Sequence, residues 1–207
     1  NLREGIDLGV FLGIKNEVSI SNISKITNIN KRKTIIDIGA NIGSVSLPLA
    51  KMFKNSKIIA IEPTIYAFSK LKKNVSLNPI LKKRISLLNI FVSNEKKKIK
   101  EVHSSWNLSN NDKKHNVHLG ILKKTSLKTE KLDRICSRFR KIDFIKIDVD
   151  GYELDVLKSA EKTLKKEKPI IYFELAPYLY KEMGYTVDQL IRYVKKIGYI
   201  FYDENFK

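Results

Sequence analysis

From residue 34 onwards, short apolar runs alternate with amphipathic stretches, and this alternation constrains the fold more than any other feature of the 207-residue chain. The apolar runs are rich in isoleucine and have the length of buried strands, whereas the stretches between them repeat their apolar residues at helical spacing. Strands that alternate with helices form a parallel sheet covered by helices on both faces. The sequence therefore predicts one α/β domain over 1–207, with a lead-in segment at 1–33 and a core at 34–202.

The individual elements can be predicted from the same patterns. We expect helices at 44–53, 65–77, 153–165 and 187–197, and strands at 34–38, 57–61, 85–92, 142–147, 169–173 and 199–202. The last of these strands is predicted to lie antiparallel at the C-terminal edge of a mostly parallel sheet. Residues 94–130 are polar, so short strands and loops are expected there, with a second apolar segment at 117–122.

The formal net charge of +18 is a value found in proteins that bind nucleic acids or other anionic partners. The basic residues are mostly lysines, are scattered along the chain and accompany many isoleucine and asparagine residues, a bias typical of an AT-rich genome. We therefore interpret the lysines as solvated surface and do not expect a nucleic-acid partner.

The location of the protein is predicted from what its sequence lacks. No apolar run reaches the roughly 20 residues that span a bilayer. Cys136 has no second cysteine with which to form a disulfide. The first residues lack the regions of a signal peptide. These features predict a cytoplasmic protein without a membrane span.

Carboxylates stand at the ends of the predicted strands. Asp37 ends the first strand, Glu62 the second and Glu174 the fifth, while Asp148 and Asp150 follow the fourth. Ligands of doubly wound sheets bind at the carboxyl ends of the strands. Acids in these buried positions are costly without partners. The sequence therefore predicts a ligand site at this edge of the sheet.

A glycine-containing turn between the first strand and the first helix indicates the kind of ligand. Gly39 and Gly43 allow a sharp bend and a close approach of the backbone, and Glu62 follows about 20 residues later, where a carboxylate can accept hydrogen bonds from ribose hydroxyls. Asn41 occupies the place of the central glycine that lets dinucleotide-binding loops approach a pyrophosphate. A nucleoside cofactor without a pyrophosphate, S-adenosylmethionine, is therefore favoured over NAD.

Several segments, in this order and spacing, resemble the FkbM family of methyltransferases. They are IDIGANIG at 36–43, AIEP at 60–63, LKTEKLD at 127–133, IKIDVDGYE at 145–153 and FEL at 173–175. Where the family usually has a glutamate after the fourth strand, this chain has Asp150. The carboxylate is kept, but its reach is one methylene shorter.

The resemblance implies a class I methyltransferase fold, which is a Rossmann-like three-layer sandwich. It also implies S-adenosylmethionine-dependent O-methylation of a sugar or other small-molecule hydroxyl, so the expected partner is a small-molecule or glycan acceptor. The residues it implies for cofactor binding are Asp37, Gly39, Asn41, Gly43, Glu62, Pro63, Ser93 and Asp148.

A hydroxyl acceptor is a poor nucleophile and benefits from a positioned base. The candidates are Asp148, Asp150, Glu153 and Glu174, with His115 or His118 added if the central loops fold over the site. Glu153 has a second interpretation, because an acid in the first turn of a helix interacts favourably with the helix dipole. The carboxylates could also hold a divalent cation, but we favour a site without a metal.

Two alternative functions stay open from the sequence. An RNA methyltransferase would suit the positive charge, but the acidic run at 148–153 would repel phosphates and replaces the proline- and aromatic-containing segment that grips a base. A catalytically inactive methyltransferase-like binding domain would keep the fold, although the acids at the strand ends argue against it. Acceptor specificity is expected to lie in residues 94–130 and in the N-terminal segment.

Overall fold

A computed structural model describes residues 33–95, 101–106, 120–124 and 127–202. The described elements, in chain order, are β1 (Thr34–Ile38), α1 (Ser46–Met52), β2 (Lys57–Ile61), α2 (Ile65–Ser76), α3 (Pro79–Lys82), β3 (Ile85–Leu88), β4 (Phe91–Val92), β5 (Glu101–Trp106), β6 (Gly120–Lys124), β7 (Thr129–Glu130), α4 (Leu132–Cys136), β8 (Phe144–Ile147), α5 (Glu153–Ser159), α6 (Glu161–Glu167), β9 (Ile170–Phe173), α7 (Pro177–Tyr180) and α8 (Val187–Lys196).

A five-stranded parallel sheet in the order β3-β2-β1-β8-β9 forms the centre of the fold. The chain runs outwards from β1 to β2 and β3 on one side, and then returns to β8 and β9 on the other. The strand order therefore reverses between β1 and β8. In doubly wound sheets this switch point opens the crevice in which ligands bind.

The two faces of the sheet are buried against different helices, as expected for parallel strands. Ile36 and Ile145 belong to the apolar core that includes α4, α5 and α8. Ile35 and Phe144 belong to the core that includes α1 and α2. Because side chains alternate along a strand, the polar residues that follow in β1 and β8 are carried to the α1 and α2 face, at the carboxyl ends of these strands.

The predicted third strand, 85–92, is wrong in its length. β3 ends at Leu88 and pairs with β2, whereas β4 pairs with β7 in a separate two-stranded ladder. The interruption has a local cause at Asn89, whose side-chain amide donates to the carbonyl oxygens of Glu62 (2.8 Å) and Pro63 (2.9 Å). These bonds fix the chain in a turn where a continuous strand was expected.

The helix predicted at 153–165 is also wrong, since it is divided into α5 and α6 at Ala160. The Ser159 hydroxyl donates back to the Val156 carbonyl oxygen (2.7 Å) and accepts a hydrogen bond from the Leu132 amide (3.2 Å). Back-bonding serines bend helices, and the second bond anchors the bend to α4.

The predicted strand at 199–202 does not form, so no described residue supplies the expected antiparallel edge strand. This segment is attached through side chains instead. The Tyr199 hydroxyl donates to the Pro169 carbonyl oxygen (3.0 Å), and the rings of Phe201 and Phe173 meet edge to face with 6.0 Å between their centroids. Gly198, with φ of +83°, ends α8 as predicted and redirects the chain into this path.

Other predictions are confirmed. The strands at 34–38 and 57–61 have the predicted bounds, and the helices predicted at 44–53, 65–77 and 187–197 differ from α1, α2 and α8 by a few terminal residues. The polar region contains the antiparallel pair β5 and β6. His115, His118 and residues 1–32 lie outside the described residues. None of the described helices is long and apolar enough to cross a membrane.

Candidate active site at the sheet switch point

The loop that follows β1 is pressed against the ends of both neighbouring strands. The amides of Gly39 and Ala40 both donate to the Ile61 carbonyl oxygen at the end of β2, at 3.0 Å each. On the other side, a Cβ atom on Gly39 would lie 1.8 Å from the Asp148 carbonyl oxygen, and the φ of Gly39 is +77°. Any side chain at this position would collide with the end of β8, so only glycine is compatible with the arrangement.

Glu62, at the end of β2, is buried and held by several hydrogen bonds. Its Oε1 accepts from the Thr64 amide (2.9 Å) and the Thr64 hydroxyl (2.5 Å), and its Oε2 accepts from the Asn41 amide (3.0 Å). Burial raises the pKa of Glu62, and the bonds from Thr64 and Asn41 only partly oppose that shift. Since each carboxylate oxygen can accept two hydrogen bonds, Oε2 keeps capacity for one further donor.

Lys146 joins the ends of β1 and β8. It is the register partner of Asp37, and its Nζ lies 3.4 Å from Asp37 Oδ1, 2.9 Å from Asp148 Oδ2 and 3.3 Å from the Gly39 carbonyl oxygen. Its side chain is 8% exposed. Burial alone would lower the pKa of Lys146, but the carboxylates of Asp148 and Asp37 outweigh it and raise that pKa above its ordinary value. Lys146 is therefore a buried ammonium that donates hydrogen bonds to Asp148 and Gly39 and forms an ion pair with Asp37.

The two aspartates that flank Lys146 differ in exposure. Asp37 is fully buried; its Oδ2 accepts a hydrogen bond from the Ser46 hydroxyl (2.5 Å), and its Oδ1 has no hydrogen-bond donor. The Asp148 side chain is 39% exposed, with Oδ2 bound to Lys146. No described residue forms a hydrogen bond or an ion pair with Asp148 Oδ1. Asp148 thus presents one oriented carboxylate oxygen at the switch point.

Glu153, at the start of α5, turns inward rather than towards the switch point. It is 1% exposed, and its Oε1 accepts from the Gly151 amide (3.2 Å). The Tyr185 hydroxyl donates to the Gly151 carbonyl oxygen (2.7 Å) and lies 3.2 Å from Glu153 Oε2. Since a phenol has one proton, Tyr185 can donate to only one of these two acceptors at a time. Burial raises the pKa of Glu153, and the bonds from Gly151 and Tyr185 only partly oppose that shift.

Asp150 and Glu174 lie at the rim of the same crevice. Asp150 is half-buried in the turn after β8, and Glu174 is exposed after β9, where its amide donates to the Ile147 carbonyl oxygen (3.0 Å). Burial, and then the charges of Asp150 and Glu174, raise the pKa of Tyr178. Among the described residues, no three His, Cys, Asp or Glu side chains form a group that could hold a metal ion.

The remaining predicted cofactor residues are Gly43, Pro63 and Ser93. The Gly43 amide donates to the Ala40 carbonyl oxygen (2.8 Å) and closes the turn before α1. Pro63 lies between Glu62 and Thr64. Ser93 is buried after β4, where its amide donates to the Glu130 carbonyl oxygen (3.1 Å) and its hydroxyl accepts from the Glu95 amide (3.1 Å).

Sequence reasoning missed Lys146, Ser46 and Tyr185. Lys146 stood in the quoted motif, and a lysine in the middle of a buried apolar strand was a signal of a buried ion pair. Its partner Asp37 could be found only with the register between β1 and β8. Tyr185 is distant in sequence from the loop it holds and gave no signal.

Known proteins resemble this chain in sequence and in fold. The model of the methyltransferase FkbM domain matches residues 37–201. The chain belongs to the FkbM methyltransferase family. Two curated relatives are methyltransferase sdnD of Sordaria araneosa, 25% identical over 179 residues, and 2-O-methyltransferase NoeI of Sinorhizobium fredii, 28% identical over 156 residues. These alignments cover 72% and 68% of this chain, and 68% and 62% of the relatives.

Solved structures support the fold. The FkbM methyltransferase from Methylobacillus flagellatus superimposes with a TM-score of 0.56 at 19% identity, covering 84% of this chain and 40% of that protein. The precorrin-6y C5,15-methyltransferase from Geobacter metallireducens gives a TM-score of 0.51 at 14% identity, covering 88% of this chain and 70% of that protein. The chain thus spans less than half of the FkbM crystal structure. The predicted Rossmann-like class I fold and the predicted family are confirmed.

Proposed function

We propose that this FkbM-family domain is an S-adenosylmethionine-dependent methyltransferase that methylates a hydroxyl group of a sugar or another small molecule. One observation carries the proposal. At the sheet switch point, Glu62 is fixed as a buried acceptor at the end of β2, while Asp148 presents a free carboxylate oxygen at the end of β8. Binding of a nucleoside cofactor beside a general base requires this pair of groups.

The residues present fit the cofactor. Glu62 Oε2 has room for a donor such as a ribose hydroxyl, Asp37 Oδ1 is a buried acceptor without a hydrogen bond, and Gly39 leaves the end of β1 free of side-chain bulk. When bound, S-adenosylmethionine supplies a methyl group activated by its sulfonium. The residues that we assign to its binding are Asp37, Gly39, Asn41, Gly43, Glu62, Pro63, Ser93 and Asp148.

Asp148 is the general base of the proposed reaction. A base must be ionised and within reach of the acceptor hydroxyl, and Asp148 Oδ1 is oriented by the bond between Oδ2 and Lys146. Glu153 is unsuited to this role, because it is buried and its two oxygens already contact Gly151 and Tyr185; we assign it to holding the loop after β8. Asp150 and Glu174, on the rim, are assigned to orienting the acceptor.

Lys146 is a positioning residue in this scheme. Its ammonium donates to both Asp148 and the Gly39 carbonyl oxygen and compensates the buried charge of Asp37. Because the ammonium is buried among these three groups, its effect on turnover passes through Asp148.

The printed name of NoeI, a 2-O-methyltransferase, supports a hydroxyl acceptor. The acidic rim formed by Asp150 and Glu174 favours a neutral or cationic acceptor over a polyanion such as RNA. A reaction without a metal and a cytoplasmic location stay predictions.

The proposal is tested by comparing Asp148→Asn with the wild type, using labelled S-adenosylmethionine and a panel of sugars and other hydroxyl acceptors. Loss of a general base lowers turnover by about 10²–10⁴-fold. We expect this loss in Asp148→Asn while calorimetry shows cofactor affinity within about threefold of wild type, since a neutral amide keeps the shape of the site. Asp150→Asn, the matched control on the rim, should raise KM more than it lowers kcat.

Unchanged turnover in Asp148→Asn would remove Asp148 from the role of base. Cofactor binding without transfer to any acceptor would favour the inactive binding domain. Transfer to RNA alone would replace the small-molecule acceptor in the proposal.

A further inference from the structure

Acidic residues are unevenly distributed along this chain. Between residues 38 and 94 there are nine lysines and arginines, and the buried Glu62 is the only acid. Residues 127–202, in contrast, carry 12 acidic and 16 basic residues. A general lysine bias of the genome would raise the basic count everywhere, but it would not remove the acids from one region alone. The near absence of acidic residues from 38–94 therefore requires another explanation.

The fold gathers these cations at the amino ends of β2 and β3. The Arg84 guanidinium donates to the Phe53 carbonyl oxygen (3.2 Å), which ties the turn after α3 to the end of α1. Six lysines around this junction are exposed, and none forms a salt bridge with another described residue. They are Lys51, Lys54, Lys72, Lys73, Lys82 and Lys83.

Two aliphatic side chains project from the middle of these lysines. Leu77 is 68% exposed and Ile80 is 78% exposed, at the turn between α2 and α3. Lys72 and Lys73 precede them, and Lys82 and Lys83 follow. Exposed leucine and isoleucine framed by lysines are typical of segments that lie in the interface of an anionic bilayer, where the cations meet headgroups and the aliphatic groups enter the acyl boundary.

A nucleic acid fits this surface less well. Proteins read nucleic acids with arginine guanidinium groups and stack bases on aromatic rings. The guanidinium of Arg84 is engaged with Phe53, and the side chains that project here are aliphatic. We therefore infer that Leu77, Ile80 and the six lysines form a basic–apolar surface that binds the anionic face of a lipid bilayer.

This orientation leaves the candidate active site accessible. α2 begins just after Glu62 and has 12 residues, so it carries the chain about 18 Å from the carboxyl end of the sheet. The basic–apolar surface and the switch point consequently lie at opposite ends of the sheet. A domain docked on a bilayer by this surface would keep the candidate active site open to the aqueous phase. The inference does not depend on the proposed methyl transfer.

Co-sedimentation of the full chain with lipid vesicles tests the inference. We expect binding to vesicles of phosphatidylcholine mixed with phosphatidylglycerol and none to phosphatidylcholine alone, with weaker binding as salt rises. Lys82→Glu/Lys83→Glu should weaken binding at least about tenfold, and Leu77→Ser/Ile80→Ser should weaken it several-fold. Lys195→Glu/Lys196→Glu on α8 makes the same change in net charge and should bind like the wild type.

Three results would overturn the inference. They are no binding to the mixed vesicles, equal losses in the α2–α3 and α8 charge variants, and unchanged binding of Leu77→Ser/Ile80→Ser. If Lys82→Glu/Lys83→Glu abolishes binding to polyuridylate but leaves vesicle binding intact, the partner is a nucleic acid instead. All the substituted side chains are exposed, and thermal unfolding of each variant checks that it is folded.

Discussion

Charged side chains are buried and paired at one end of the central sheet, whereas lysines at the other end are exposed and make no salt bridge with another described residue. At the carboxyl ends, Asp37, Glu62 and Lys146 are buried, and each has protein partners. At the amino ends, lysines such as Lys54 and Lys82 are exposed and make no salt bridge with a described residue. A buried charge is tolerated only when it is paired, whereas a solvated charge needs no partner. The difference identifies the carboxyl end as the part of the sheet in which specific chemistry is organised.

Lys146 illustrates this difference most clearly, because it is the one lysine that is buried among the described residues. Its position follows from the strand register that places it opposite Asp37. A lysine at the amino end can be replaced without leaving a charge unpaired. A replacement at Lys146 leaves a buried carboxylate, and the two ends should therefore respond differently to the same substitution.

The largest expected effect on stability is that of Lys146→Met compared with Lys82→Met. Removing one partner of a buried ion pair costs about 3–5 kcal/mol of unfolding free energy, and we expect a loss of that size in Lys146→Met. Surface substitutions usually stay within about 0.5 kcal/mol, which is the result expected for Lys82→Met. Chemical denaturation measures both.

The double variant Asp37→Asn/Lys146→Met separates stability from positioning. It contains no uncompensated Asp37 charge, so it should recover most of the stability lost in Lys146→Met. Its kcat should stay low, because Asp148 is no longer oriented. Recovery of kcat together with stability would show that Lys146 is only structural.

A smaller effect on stability distinguishes a steric clash at the carboxyl end of the sheet from backbone strain alone. Gly39 and Gly184 have nearly the same φ, +77° and +78°, but a Cβ on Gly39 would meet the Asp148 carbonyl oxygen at 1.8 Å, and one on Gly184 would meet nothing within 4 Å. We expect Gly184→Ala to cost about 1–2 kcal/mol, the strain of a left-handed residue. Gly39→Ala should cost clearly more and displace Asp148. Equal losses in denaturation would mean that the β1 and β8 loops are not in close contact.

The smallest effect concerns the pH dependence of stability at Glu153. The pKa of this buried carboxyl is raised in the folded state, so its contribution to stability is present below the unfolded pKa and is lost as pH rises through the folded pKa. Glu153→Gln keeps an acceptor oxygen in this position and does not titrate. The unfolding free energy of the variant should therefore rise relative to wild type as pH increases from acidic to neutral. A constant difference across that range would show that Glu153 is ionised in the fold.

The sequence was informative where a feature depends on neighbouring residues. The isoleucine-rich runs predicted the bounds of β1 and β2, and the acids that follow the strands marked the edge at which the candidate site lies. The family segments named Glu62 and Asp148, which the fold brings to the same edge. These features are local, and the parallel sheet brings the residues that follow its strands to one edge.

Features that depend on distant contacts could not be predicted. The bend at Ala160 depends on a bond between Ser159 and Leu132, which is 27 residues away. The Lys146–Asp37 pair depends on register, and the inward orientation of Glu153 depends on Tyr185. Likewise, lysines that are scattered in sequence form one surface only when α1, α2 and α3 are packed together.

Cofactor binding at Glu62 is the most direct test of the account. Titration calorimetry should show that the wild-type chain binds S-adenosylmethionine. The Glu62→Ala variant, checked for folding by its thermal unfolding transition, should bind at least about tenfold more weakly, since the one further hydrogen bond that Glu62 Oε2 can accept contributes about 1.5–3 kcal/mol. Glu174→Ala, at the end of β9, serves as the control and should bind like the wild type. Failure of the wild type to bind, or equal affinity of wild type and Glu62→Ala, would contradict the assignment of the cofactor site to this end of the sheet.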